Sequence, residues 1–574
     1  MLMKQAAALL QPHVPIDEEE LLRRLETPPE PGLGDLAFPC FMLAKSMRRP
    51  PASIAAELAE ALNASGAGVR AQASGGYVNL FFDPAVWLDR IVGAALEPGY
   101  GRSDDGRGRH VVLDMSSPNI AKPLGVGHLR STMIGAALAA IYREAGYRVT
   151  TVNHLGDWGT QFGKLIVAYR SWGDRRTLEA EPIGESLRLY VRFHEEAGQR
   201  PELEDEAREA FLRLEQGDAE TAALWRFFVD ESMKEFNRIY ARLGVRFDEV
   251  LGESFYNDKL EPVLERLRAQ GLLEESDGAM VVRLDEEGLP PCLILKKDGA
   301  TIYPVRDLAT ALYRQQVMKA DRLLYVVGAE QQLHFRQVFG VLGKMGERWA
   351  GDCEHVPFGL MTMEGKKMST RRGQVVFLNE VLDEAVNKAR EIIAAKNPDL
   401  PDRDRVADAV GVGAVVFGDL KNRRLLSVDF KLEEVVSFEG ETGPYVQYTY
   451  ARIASLLRKG GYDAGEVESS GAAGVAADHA SAGGAYTEAA WACAKRLTQW
   501  DAAISDAIRD NEPSAVARYM LELSRDFNRF YHDGKVIQPD DAAGTRARLR
   551  LAAAAGSLLG RGLKLLGIAA PERM

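Results

Sequence analysis

Apolar positions first recur at helical spacing between Ile54 and Leu62, then switch to a strand-like run in GGYVNLFF, around Tyr77 to Phe82. Residues 1 to about 105 therefore read as a small α/β unit, with the loop PPEPGLGD setting its first helix apart. From Arg109 the pattern changes. An apolar run, HVVLDMSS, is followed by a loop, by helical periodicity from Leu129 to Ala145, and by a second run, YRVTTVNHL. Strand, helix and strand of these lengths predict a βαβ unit of a parallel sheet. Residues 175 to 245 interleave charge with apolar positions at helical spacing, as long amphipathic helices inserted between two halves of the sheet would. The runs LLYVVGA and VPFGLMTM are expected to return to that sheet. From about residue 385 onward ADAVGVGAVVFGDL, YVQYTYARIASLLRK and AVARYMLELSRDFNRFYH predict an all-α region. Gly461 to Gly484 is rich in Ala, Gly and Ser and is expected to be a flexible excursion within it.

The predicted architecture is multidomain, α/β plus all-α. A small N-terminal α/β domain covers 1–105. A Rossmann-like, doubly wound parallel-sheet domain covers 106–385, with a helical insertion at about 170–250, and a C-terminal helical bundle covers 386–574. A chain of 574 residues is too long for one core, so several domains are expected on length alone. No stretch approaches the roughly 18 uncharged apolar residues of a membrane span, and the N-terminus lacks a small-residue cleavage site, so a cytoplasmic address is expected. Cys40, Cys292, Cys353 and Cys493 stand far apart with no CxxC pair, which predicts reduced, mostly buried thiols and no zinc or other protein-held metal. A net charge of −12 argues at first against a nucleic-acid partner. Basic residues nevertheless crowd together after Trp491, among them Arg525, Arg529, Lys535, Arg546, Arg548, Arg550, Arg561 and Lys564. That tail is where RNA is expected.

The stretch DMSSPNIAKPLGVGHLRST, Asp114 to Thr132, lies where the first strand of the parallel sheet ends and a helix begins, the usual place for a nucleotide. A helix N-terminus offers backbone N–H groups and partial positive charge to anions. Lys122 adds a full charge, Gly125 and Gly127 let a ligand approach the backbone, and His128 can donate to a phosphate oxygen. A Gly-rich turn before a helix serves as a plain cap about as often as it cradles a ligand. The longer run is more specific. It resembles the HIGH signature of class I aminoacyl-tRNA synthetases, and SSPNIAKP…GHLRST resembles the version in the arginyl-tRNA synthetase family. The likeness continues through NHLGDWGTQFGKL (Asn153 to Leu165), FDEVLGESFY (Phe247 to Tyr256), YPVRD (Tyr303 to Asp307), YVVGAEQQLHF (Tyr325 to Phe335) and GKKMSTRRG (Gly365 to Gly373).

The resemblance implies activation of L-arginine with ATP, magnesium accompanying the nucleotide, and transfer of arginine to tRNA-Arg. A planar guanidinium with five donors requires a carboxylate and neutral acceptors in fixed geometry. The positions matching the family's pocket are Asp114, Asn119, Tyr303, Asp307 and Gln331, with Glu253 a weaker addition and Asp307 and Tyr303 directed at the guanidinium. The ATP set is Gly125, Gly127, His128, Gly328, Glu330 and Met368, and the catalytic set is Lys122, His128, Lys367 and Ser369. Two departures stand out. The KMSKS signature reads Lys367-Met368-Ser369-Thr370-Arg371, without its second lysine, and Gly125 replaces the first histidine of HIGH. Family members lacking that lysine resemble this chain in carrying one just before HIGH, here Lys122, which is expected to supply the missing charge.

The C-terminal helices resemble the anticodon-binding domain of this class, and Tyr445, Tyr448, Arg452, Arg525, Arg529 and Lys535 are the candidate tRNA contacts. Tyr445, Tyr448 and Tyr450 at helical spacing equally suit interhelix packing. GDLAFPCFMLAK, Gly34 to Lys45, likens the N-terminal unit to the family's extra domain that touches the tRNA elbow. The likeness reaches the final GIAAPERM, so a complete chain, acting as a monomer, is expected. Two other readings compete: a synthetase-like tRNA binder without catalysis, suggested by Gly125 and KMSTR, and a nucleotidyltransferase with a similar phosphate site. Neither requires an acceptor set shaped for arginine.

Overall fold

In the computed structural model the described residues are 1–297, 299–363, 366–367, 377–462 and 487–574. Met368, Ser369 and the Ala/Gly/Ser-rich segment from 463 lie outside them, as does the side chain of Lys367.

The alternation in YVNLFF becomes the middle strand of an antiparallel sheet, β1 (Leu36–Pro39), β2 (Val69–Ser74) and β3 (Tyr77–Phe82), in the order β1-β3-β2. The helix Pro51–Ala64 covers it with Ile54, Leu58 and Leu62 buried. Asp35, just before β1, locks this unit to the C-terminal helices: its Oδ1 accepts from Lys495 Nζ at 2.7 Å and Trp491 Nε1 at 3.3 Å.

The central sheet is parallel, with β4 (His110–Asp114), β5 (Arg148–Asn153), β6 (Glu249–Val250), β10 (Arg322–Gly328) and β11 (Cys353–Phe358) in the order β11-β10-β4-β5-β6. Every residue of β4 is buried, because alternate side chains enter two different cores. Val111, Leu113, Leu324 and Val326 face the core that includes the helix Val126–Glu144, whereas Val112, Leu323 and Tyr325 face that of the helices Tyr303–Gln316 and Gln332–Lys344. The chain leaves β4 toward β5 on one side and returns as β10 on the other. The carboxyl ends of β4 and β10 therefore border a topological switch point, where such sheets bind ligands.

The insertion folds as the helices Pro182–Ala197, Glu202–Glu215 and Ala219–Arg242 against Thr160–Trp172, burying Phe162, Leu189, Phe193 and Phe228. A hairpin sheet, β7 (Glu274–Ser276), β8 (Ala279–Val282) and β9 (Cys292–Leu295), was not anticipated. Its sequence signal is the Asp277-Gly278 turn, with both residues at positive φ.

One expectation is corrected. VPFGLMTM does not return to the central sheet as a whole. It breaks after Phe358, and β12 (Met361–Met363) joins a separate sheet with β13 (Lys366–Lys367) and β14 (Val428–Phe430). Gly359 packs its backbone on that of Leu425 and Leu426, where a Cβ would lie 2.7 Å from those atoms, and this contact turns the chain toward β14. Among the described residues, the region beyond 385 is thus helical except for β14 and the connecting loops. Among the described residues, no helix is long and apolar enough to cross a membrane.

Candidate active site

The loop leaving β4 carries three non-glycine residues in the left-handed region, Ser116 (φ 71°), Ser117 (φ 50°) and Ala121 (φ 60°). Such conformations cost of order 1–3 kcal/mol each and persist where the surroundings over-determine them. Here the Ser116 N–H donates to Ser131 Oγ (2.9 Å), whose hydroxyl donates to the Val326 carbonyl of β10 (2.7 Å). Ser117 N–H donates to Asn153 Oδ1 (3.2 Å), and Ala121 N–H to Ser232 Oγ of the insertion (3.0 Å). The serines of SSPN and GHLRST therefore hold a strained loop over the switch point.

Gly125 is the N-cap of the helix Val126–Glu144. Its N–H donates to His128 Nδ1 at 3.1 Å, which makes Nδ1 the acceptor and leaves the ring proton on Nε2. Burial lowers the pKa of His128, and the nearby Lys122 charge lowers it further, so the ring is a neutral donor. The Gly125 N–H is consumed in orienting His128 and so is not the donor that replaces the missing histidine. Gly127 is exposed, with open space where a Cβ would stand. Lys122 is half-buried between this turn and the insertion, its ammonium 5.6 Å from the centre of the Tyr190 ring.

Acidic residues gather beyond the carboxyl end of β5. Glu253 is half-buried, and burial pushes its carboxyl up to about 7; Arg306 opposes the shift, while Asp157 and Asp307 add to it. Asp307 lies one turn inside the helix Tyr303–Gln316, so it is not that helix's cap, and it pairs with His334 Nε2 at 2.6 Å. Arg306 donates to the Glu253 carbonyl and to Asn257 Oδ1 (2.8 Å). Tyr303 is 73% exposed. Asn119, Glu330 and Gln331 are also exposed, and the buried Gly328 lets the Glu330 carboxylate fold within 2.6 Å of where its Cβ would be. Asp114 is placed differently from the rest. It is buried, its Oδ2 paired with Arg314 at 2.6 Å and its Oδ1 accepting from Ser117 Oγ at 2.8 Å, so both oxygens already have partners.

Four neighbours had no role in the residue-by-residue reading. Asp157 accepts from Ser254 N–H (2.8 Å) and Oγ (2.6 Å), and shapes the segment bearing Glu253. His154 has its pKa lowered by burial; Arg306 and His334 face the acids directly. The motifs NHLGDWG, YPVRD and EQQLHF contain all four, but nothing in their spacing says which side chains turn inward.

The raised Glu253 pKa gives a signed expectation. Below pH 7 the group is neutral and offers no charge to a cation; above it the carboxylate forms. The affinity of this recess for a cationic ligand should therefore rise about tenfold from pH 6 to pH 8, with proton release on binding at the acid end. Titration calorimetry in buffers of different ionisation heat measures both, and Glu253→Gln should flatten the profile.

On the C-terminal helices, Arg452 lies between the rings of Tyr448 and Tyr531, 5.0 Å from each centre. Tyr448, Arg525, Arg529 and Lys535 are exposed, Arg525 pairing with Glu441 at 2.5 Å. Tyr445 is half-buried, its hydroxyl accepting from Asn528 Nδ2 at 3.0 Å. An exposed ring with adjacent guanidinium groups suits stacked, unpaired bases. The four cysteines are buried, and burial pushes their thiols up.

A histidine donor at a helix N-terminus on a parallel-sheet switch point suits an anion site, and comparison with known proteins shows the class to be that of the class I aminoacyl-tRNA synthetases. The family model for the class I (R) tRNA synthetase catalytic domain matches residues 95–432, the DALR anticodon binding domain 446–574, and the arginyl tRNA synthetase N terminal domain 2–82. The chain belongs to the arginyl-tRNA synthetase family. It is 50% identical to the arginine–tRNA ligase of Exiguobacterium sp. over 97% of this chain and 96% of that one, and 48% identical to that of Latilactobacillus sakei with the same shares covered. Among solved structures it resembles the Thermus thermophilus arginyl-tRNA synthetase, with a TM-score of 0.81 and 27% identity, covering 100% of this chain and 99% of that one.

Proposed function

We propose that this protein activates L-arginine with ATP and transfers the arginyl group to the 3′-terminal adenosine of tRNA-Arg. The observation that carries this reading is the juxtaposition of an anion-binding helix end with a carboxylate recess across one switch point. The arginine carboxylate attacks the α-phosphorus, a P–O bond forms, and the bond to the bridging oxygen breaks to release pyrophosphate. The 2′-hydroxyl of the terminal adenosine then attacks the arginyl carbonyl, and AMP leaves. No side-chain nucleophile is needed. Magnesium, arriving with the nucleotide, neutralises phosphate charge.

In this reading His128 Nε2–H donates to a phosphate oxygen, Lys122, Lys367 and Ser369 stabilise the charge that develops on the phosphates, and Gly125, Gly127, Gly328, Glu330 and Met368 border the nucleotide. Asp307, steadied by His334, takes the guanidinium together with Tyr303 and Glu253. Asn119 and Gln331 serve the α-ammonium. Asp114 acts from beneath, ordering the loop through Ser117 and Arg314. Tyr448, Arg452, Arg525, Arg529 and Lys535 form the anticodon-side patch, with Tyr445 supporting it. The enzyme works as a cytoplasmic monomer.

The test is transfer of radiolabelled arginine to tRNA in the presence of ATP and magnesium. Acceptance no higher than a protein-free control would favour a silent tRNA binder. A further expected outcome is that ATP–pyrophosphate exchange stays near background until tRNA-Arg is added; brisk exchange with arginine alone would contradict the proposed dependence on tRNA.

A further inference from the structure

The arginine of GHLRST has no part in the chemistry above, yet it is among the largest fully buried side chains of the protein. Arg130 and Asp419, on the helix Arg403–Leu420, both have wholly buried side chains, and Arg130 Nε lies 2.9 Å from Asp419 Oδ1. The rest of the guanidinium fork is spent on backbone. Nη1 donates to the carbonyls of Gly359 (2.7 Å) and Leu426 (2.9 Å), and Nη2 to that of Arg424 (3.2 Å).

Those three carbonyls sit at the root of one small sheet. Gly359 precedes β12, Leu426 precedes β14, and β12 holds β13 in register through Thr362 and Lys367. Gly359 N–H also donates to the Arg424 carbonyl (2.8 Å), and the glycine leaves no room for a side chain between the segments. One side chain, two residues beyond His128, thus gathers the signature helix, the root of β12, which pairs with the Lys367 backbone, the root of β14 on the far side of β12, and the helix bearing Asp419.

A buried ion pair is a poor source of stability, because its desolvation cancels most of the attraction; its attested use is to select one geometry. Burial pushes Asp419 up to about 6 even with Arg130 beside it, in keeping with a pair not kept for stability. We infer that Arg130 and Asp419 are positioning residues, a clasp that sets the Lys367-bearing strand at its working distance from His128 during adenylate formation. This inference rests on the function proposed above.

Two variants of the full-length enzyme test it. Arg130→Lys keeps the charge facing Asp419 but cannot fork to three carbonyls. Gly359→Ala leaves the pair intact and forces the strand root off Leu425 and Leu426 by sterics alone. With arginine, ATP and tRNA-Arg, each should lower the single-turnover rate of pyrophosphate release about 100-fold, the usual penalty for a misplacement of about 1 Å. The arginine Kd, measured by calorimetry, should stay within about twofold, because the acidic recess lies on another element.

A folded variant with an unchanged rate overturns the clasp. So does a rate that falls only in step with arginine affinity, and so does failure of both variants to fold, since the pair would then be scaffold. A wild-type enzyme that releases no pyrophosphate under these conditions instead overturns the proposed function, so the two failures are distinguishable.

Discussion

Asp307→Asn should weaken arginine binding about 150-fold, equivalent to about 3 kcal/mol, while leaving ATP affinity unchanged. The carboxylate is held by His334 Nε2 at 2.6 Å, so an asparagine in its place would turn its one oxygen toward His334. Its amide nitrogen would then face the guanidinium. That ligand carries five N–H donors and no acceptor, so donor would meet donor, a larger penalty than loss of charge alone. Citrulline, whose ureido oxygen replaces a nitrogen, provides the control: its affinity should change far less, or improve. Asp307 is only half-buried, so the variant should melt close to the wild-type temperature. An arginine Kd within threefold of wild type, by calorimetry on a folded variant, would remove Asp307 from the pocket.

Lys122→Ala should slow adenylate formation by about 30-fold or more, the effect of losing roughly 2 kcal/mol of charge-assisted contact in the transition state. The reason lies in an absence within the sequence: KMSTR has a threonine and an arginine where KMSKS has lysine and serine. Lys122 stands three residues before the helix end and close enough to His128 to lower that ring's pKa, so its ammonium borders the region proposed for the phosphates. Attack on phosphorus offers side chains little covalent work, and fixed positive charge in a water-poor cleft supplies much of the acceleration. Arginine affinity should be untouched, and Lys122→Arg should recover part of the rate. Pyrophosphate release within a few-fold of wild type, followed over a single turnover, would assign the charge elsewhere.

The two sides of this cleft were not equally legible in the chain. On the phosphate side the signals are local: Lys122, Gly125 and His128 fall within seven residues, and the helix that follows them fixes where they point. On the arginine side the residues come from four separated segments, around Asp157, Glu253, Asp307 and His334. Glu253 and Asp307 were taken up through the family likeness, whereas Asp157, His154, Arg306 and His334 emerged only when those segments met. Asp114 is legible as a candidate from its motif, whereas its partner Arg314, 200 residues downstream, is seen only in the folded chain.

Periodicity by itself determined the parallel sheet, the helical insertion and the helical C-terminal region, and the motifs carried the family resemblance that implied the class of chemistry. These properties follow from side chains within a few residues of one another and from what a strand or helix must bury. Tertiary structure alone decided that VPFGLMTM would divide between two sheets, that His128 would carry its proton on Nε2, that Glu253 would titrate near 7, and that Arg130 would meet Asp419. Each depends on dielectric surroundings or on a distant partner. Both are set by how remote segments pack, and no local stretch of sequence encodes them.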